Sequence, residues 1–348
     1  MKCALVVWIL VLSAASTVWA ADRVQFNFDT SEADAVLAIV DLRAAGKPVT
    51  NADWQKLFSS TPYVRLKKRE ASMHRDFTDE DFRSFVVSDD LAKQMPAIRQ
   101  TLATWKKADL AAVAVRILPY LPDDSRVKAS VYPVIKPKTN SFVFETSTDP
   151  AIFLYVDPKQ SLAEFENIVA HESHHIGYAD ASKQYEQKIQ SLPANARKAA
   201  EWMGAFGEGM AVLAAAGSTE VNPVKDFPAD QQIRWDQDIK NADQDLITVN
   251  QFFLDLIGGG YAKPEVADHT GFLFFGYRGP WYTVGYMMGS MIEKRFGRAV
   301  LVQCMADPRL LLAKYNEAAT EQNAVGKQHK LPLWSDEVLK AVTTGGQK

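Results

Sequence analysis

Apolar positions recur at helical spacing along most of the chain, with one short stretch in which they alternate. Residues 24 to about 120 read helical. Ser31-Glu-Ala-Asp34 has the shape of a capping box, with Asp in place of Glu, ahead of Ala35, Val36, Ile39 and Val40. Gly46-Lys-Pro48 stops that helix. Thr50-Asn-Ala-Asp53 starts a second through Trp54 and Leu57, Thr78-Asp-Glu-Asp81 opens a third, and residues 90–110 carry a fourth. Lys, Arg and Glu are interspersed through these segments, the pattern of solvated outer helix faces.

Near Ser130 the period drops to two. Residues 130–135, 141–146 and 151–156 read as strands, joined through Pro137, Thr139, Asn140, Asp149 and Pro150. They predict a small antiparallel sheet. The helical period returns at Ser161-Leu-Ala-Glu164, a full capping box whose helix runs through His175 to Gly177. A polar piece over residues 180–197 follows. Residues 198–216 form the next helix, closed by Gly217, and residues 230–256 a long one. Gly258-Gly-Gly260 and the stretch to Gly279 read as a loop with aromatics. Pro280 then opens a helix over residues 281–296, and helical patches reach Leu339. The expected fold is α+β and predominantly helical.

Composition narrows the class. A chain of 348 residues, 47% apolar and 23% charged, buries a sizeable core and is neither disordered nor coiled-coil. With 39 basic against 42 acidic residues, nothing points to nucleic acid as a partner. Two cysteines, Cys3 and Cys304, exclude a disulfide scaffold and a cysteine-built zinc site.

Lys2, the apolar run from Cys3 to Ala15, and Thr17-Val-Trp-Ala20 with small residues before a cut after Ala20 together read as a secretory signal. Residues 1–20 are therefore expected to be removed, giving a secreted or periplasmic chain. No later stretch has the length and apolarity of a membrane span, so no stable membrane insertion is expected after cleavage.

The chemistry concentrates in His171-Glu172-Ser173-His174-His175, an H-E-x-x-H motif on a predicted helix. Positions four apart lie about 40° from each other, one turn up, so His171 and His175 can converge on one Zn2+ ion. Glu172 lies about 100° round from His171, too far to share that bond but able to reach a metal-bound water as general base. The last predicted strand, residues 151–156, could bind an extended substrate by its edge. The third ligand is expected at Glu208, in Phe206-Gly-Glu-Gly-Met-Ala211, because a carboxylate among small and apolar neighbours is costly unless paired or metal-bound. Those small neighbours would let its helix lie close to the His helix. Glu201, seven residues earlier, is the rival. His174 could flank the site, or instead hydrogen-bond or simply lie at the surface. His269, Arg278, Tyr282 and Tyr286 are candidates for stabilising an oxyanion, with Tyr282 preferred because it opens a helix after Gly279-Pro280. His74 and His329 lie in polar stretches and read as exposed.

HESHH followed by an E-G-x-A helix resembles the gluzincin zinc peptidases, the thermolysin and aminopeptidase group. The chain more closely resembles an uncharacterised family of secreted bacterial proteins assigned as zinc-dependent peptidases. That likeness rests on the N-terminal helical region, the HExHH helix, the EG-A helix and Gly279-Pro-Trp-Tyr282-Thr-Val-Gly285. It implies His171 and His175 as zinc ligands, Glu172 as base and Glu208 as third ligand. Two departures stand out. The interval from His175 to Glu208 is longer than in thermolysin. The metzincin pattern fails, with Tyr178 and Ala181 where Gly and His are required.

The expected organisation is a signal over residues 1–20, an N-terminal helical region over 21–125, and a zincin-like metallopeptidase domain over 126–348. Its core would hold a small antiparallel sheet packed on the HExxH helix. The expected activity is zinc-dependent hydrolysis of a peptide bond in a peptide or protein substrate. The alternative is a secreted, non-catalytic binding protein with a structural or vestigial metal site.

Overall fold

The computed structural model describes residues 23–276, 278–325 and 330–343. The expected signal segment and His329 lie outside the described residues. The fold is predominantly helical with one small four-stranded sheet, so the α+β expectation holds.

The chain forms two compact units. The first comprises residues up to 115 together with 126–176, and the second residues 116–125 and those from 177 onward.

In the first unit the sheet holds strands β1 (Val24–Phe28), β2 (Val127–Val134), β3 (Phe142–Phe144) and β4 (Ala151–Tyr155), in the order β1-β2-β4-β3. β1 and β4 run parallel to β2, and only β3 is antiparallel, on β4. The antiparallel expectation is thus corrected to a mixed sheet. β1 lies within the stretch read as helical, and its Val-Gln-Phe-Asn-Phe is the alternation of a strand. The middle strands are buried on both faces, as parallel strands usually are. On one face Tyr132, Val134, Phe142, Ala151 and Phe153 pack with Leu66; on the other Val127, Val131, Ile152 and Leu154 are equally buried.

The helices Ser31–Ala44, Asn51–Phe58, Thr61–Ser72, Asp79–Val86 and Asp89–Trp105 lie in this unit, as do most of Leu110–Ile117 and of Leu162–Gly177. Thr50 and Asp53 form a reciprocal cap where the second helix is expected to start, and the Thr78 hydroxyl accepts from the Asp81 N–H. The cap expected at Ser31 does not form: Thr30 is the N-cap residue, and its hydroxyl donates to the Asp34 carboxylate at 2.6 Å. The helix Thr61–Ser72 lies within the stretch read as helical, where no separate start is marked; its opening Pro62 is a first-turn residue.

The second unit is all helical, around a core rich in aromatic side chains. Trp281, Phe206, Phe252, Phe253 and Trp334 are its large buried members. The polar piece after Gly177 holds the helix Ala179–Ile189, and the stretch read as a loop holds the helix Pro264–Leu273. The long pattern over 230–256 breaks at Asn241 into Ala229–Lys240 and Ala242–Gly258. No helix among the described residues is long and apolar enough to cross a membrane.

Candidate metal centre

The helix Leu162–Gly177 is fixed at its start by the expected capping box. The Ser161 N–H donates to the Glu164 carboxylate at 2.8 Å, and the Glu164 N–H donates to the Ser161 hydroxyl at 3.1 Å. Phe165 then anchors it, stacked on Trp105 with ring centroids 4.6 Å apart and edge-on to Phe28 of β1 at 6.0 Å. Phe165, Val169, Ala170, Ser173 and His174 are buried, whereas Ile168, His171, Glu172 and His175 form a half-buried stripe. Period 3.6 thus puts the motif's His171, Glu172 and His175 on the more accessible side of a firmly seated helix.

On that stripe the His171 and His175 Nε2 atoms are 3.2 Å apart, with ring planes at 80°. Two nitrogens bound at ~2.0–2.1 Å to one tetrahedral zinc are separated by about 3.3 Å. The pair is therefore spaced for a single ion without rearrangement. Both Nε2 lone pairs can face an ion only if each ring carries its proton on Nδ1. His174 is not at the surface: it is 2% exposed, on the buried side beside Ala170, with its ring centroid 6.3 Å from that of His175.

Glu208 is half-buried in the first turn of the helix Gly207–Ala216, where the positive end of the helix dipole favours a carboxylate. The single helix expected over 198–216 is two α-helices, Ala194–Met203 and Gly207–Ala216, joined by a 3₁₀ turn, Gly204–Phe206. Gly217 closes the second with φ +79°.

The small residues beside Glu208 have a definite use within this unit. A Cβ on Gly209 would lie 2.2 Å from the Tyr286 nitrogen and 2.4 Å from the Tyr282 carbonyl oxygen. One on Gly285 would lie 2.6 Å from the Phe206 carbonyl oxygen. The Glu208 helix therefore lies backbone to backbone on the helix Pro280–Phe296, which carries Tyr282. Gly209 thus serves this crossing within the second unit. On the same helix the buried Thr283 hydroxyl donates to Asp245 at 2.6 Å, and burial raises the Asp245 pKa above the ordinary carboxylate value. Sequence reasoning passed over Asp245; its only signal is an acid in the first turn of a largely apolar helix.

The other candidates divide clearly. Tyr282 is half-buried in the first turn of its helix. Tyr286 meets Trp235 edge-on at 5.2 Å, and Arg278 lies over Phe227 and Trp235 at 5.0 and 5.5 Å. His269 and His74 are exposed. Glu201 is exposed too, 3.8 Å from Arg197 and 3.9 Å from Lys198.

Ligand-type atoms of His171, His175 and Glu208 all lie within 4.8 Å of one another, a group that could hold a metal ion. Glu201 is not part of it. Two imidazole nitrogens and one carboxylate oxygen are the donor set of a three-ligand zinc site, which keeps one coordination position for water or substrate. The expected substrate edge is not where the alternating pattern put it. β4 lies between β2 and β3, so its backbone is paired on both sides, and the edges are β1 and β3.

Residues 51–324 match the model of a family described as "Putative zinc dependent peptidase (DUF5700)". The match spans well over half of the chain, and the chain belongs to that family. No curated protein and no solved structure matches it.

Proposed function

We propose that the protein is a zinc-dependent peptidase, with His171, His175 and Glu208 as the zinc ligands. The observation that carries this reading is the 3.2 Å separation of the two Nε2 atoms, with a Glu208 carboxylate oxygen in the same group. Family membership points the same way. Zinc bound there would supply a Lewis acid that polarises a carbonyl and lowers the pKa of water.

The chain's own residues do the remaining work. Glu172, on the half-buried stripe beside the ligands, takes a proton from the attacking water and returns it to the leaving amine. Tyr282 offers its hydroxyl to the oxygen on which negative charge develops. The Ser161–Glu164 cap and the Phe165 anchor hold Glu172 on a rigid element, which limits the reorganisation needed at the moment of proton transfer.

The reading includes export: the n-region, apolar core and Ala20 make residues 1–20 a removable signal, so N-terminal sequencing of exported material should begin Ala-Asp-Arg. A chain that keeps Met1 in the membrane fraction would contradict it.

The test of function is a mixed peptide library incubated with the zinc-loaded chain and with the Glu172→Gln variant. Gln keeps size and shape but cannot accept the proton. The variant should retain zinc and lose cleavage by ~10²–10⁴-fold. Undiminished turnover would remove Glu172 from the mechanism. Absence of chelator-sensitive cleavage by the parent chain would leave a metal-stapled binding protein.

A further inference from the structure

The first unit contains a cavity that the metal centre does not use. It has a volume of about 150 Å³, roughly what holds one benzene ring. Leu66, Phe77, Phe82 and Pro137 line it, and Lys136 and Glu70 bring charge to it. Lys136 follows directly on β2 and Ile135, and it is only 4% exposed. Its ammonium donates to the Lys138 carbonyl oxygen and, at 2.9 Å, to the Asn140 amide oxygen. Those bonds use two of its three hydrogens, and among the described residues it forms no ion pair.

Glu70 is already engaged. Its carboxylate takes Arg69 at 2.7 Å, Lys138 at 3.4 Å and Arg75 at 3.6 Å. Asp76 and Asp81 are exposed, and Asp81 accepts from the Thr78 hydroxyl at 2.6 Å. A buried ammonium with only neutral acceptors is costly, and an anion in contact with it would offset that cost.

We propose that this cavity binds a small aromatic monocarboxylate, its ring against Leu66, Phe77, Phe82 and Pro137 and its carboxylate on the Lys136 ammonium. The site is independent of the metal centre.

Burial pushes the Lys136 pKa down to about 8; Glu70 and Glu32 oppose the shift, while Arg69 and Lys138 add to it. Only the protonated form pairs with a carboxylate. Affinity is therefore full below pH 8 and falls as pH rises through it, and binding near pH 8 takes up a proton.

The experiment is calorimetric titration of the purified full chain with phenylacetate, with phenethylamine as the cationic counterpart. Parallel runs use Lys136→Met and His175→Ala. Phenylacetate should bind once per chain with a Kd on the order of 1 mM or tighter, a modest value for so small a ligand. Affinity should fall at least tenfold in Lys136→Met and at least tenfold between pH 6.5 and 9.5. His175→Ala should bind normally, which separates this site from carboxylate capture by zinc. The pH comparison on the parent chain stands by itself if Lys136→Met fails to fold. The proposal is overturned by no saturable binding, by phenethylamine binding as tightly, by loss of binding in His175→Ala, or by affinity that does not change with pH.

Discussion

Gly209→Ala puts the helix crossing that carries Glu208 and Tyr282 to a direct test. Helix propensity alone favours Ala over Gly by about 0.8–1.0 kcal/mol, so a position with room should gain stability. Gly209 has none. Its added methyl would meet the Tyr286 nitrogen at 2.2 Å, the Tyr282 oxygen at 2.4 Å and the Gly285 carbonyl carbon at 2.5 Å. All three are backbone atoms, so no rotamer change relieves the clash, and the two helices must separate by roughly an ångström to restore van der Waals contact. Overpacking of this kind costs about 1–3 kcal/mol and occasionally more. The steric cost should exceed the propensity gain and leave a net loss of about 1–2 kcal/mol, a midpoint drop on the order of 2–5 °C. Because Glu208 is the adjacent residue, zinc affinity should fall in the same variant. Gly204→Ala and Gly207→Ala are the controls: neither new methyl has a neighbour within 4 Å, and both residues are right-handed helical. They should be neutral or slightly stabilising by thermal unfolding followed by circular dichroism. Gly209→Ala matching its controls would refute the crossing as described.

Two further outcomes follow from the same structure. Glu208→Ala should lower zinc affinity at least a hundredfold in a chelator competition, while Glu201→Ala, which removes an exposed carboxylate near Arg197 and Lys198, should leave it unchanged; the reverse ranking would move the ligand seven residues back. Glu32 is fully buried, accepts the Ile135 N–H at 3.0 Å, and burial pushes its pKa up to about 8. The native chain then holds a proton that the unfolded chain releases near pH 4.5, so this group's contribution falls as pH rises from about 4.5 to about 8. Glu32→Gln keeps the acceptor for Ile135 and should raise the melting temperature at pH 9 but not at pH 4; an equal shift at both would contradict this.

The motif and its helix were legible because their information is local. Spacing of four sets the two imidazoles on one face, and Ser161 with Glu164 marks where the helix begins. Glu208 stood out through cost, as a carboxylate among small and apolar residues, and it groups with the two histidines. What escaped was long-range. β1 alternates correctly, but five residues ahead of a helical run carry little weight, and their partner, β2, lies about a hundred residues later. Parallel pairing of β2 with β4 leaves no turn signal of its own, and the short β3 between them in sequence suggested a simple meander. The helix Pro264–Leu273 was hidden by Gly258-Gly-Gly260, although Pro264 at its first turn was a usable sign. Gly209 could be seen as small, but its backbone partner could not be named, because that depends on where the Tyr282 helix crosses.

The central claim is that His171, His175 and Glu208 together hold one zinc ion with a position left open. Anomalous diffraction at the zinc edge from crystals of the zinc-loaded chain tests it most directly. The account predicts one peak per chain at this site, bonded to both Nε2 atoms at ~2.0–2.1 Å and to the Glu208 carboxylate at ~2.0–2.2 Å, with no fourth protein ligand. A peak elsewhere, no peak, or a site closed by a fourth side chain would contradict it.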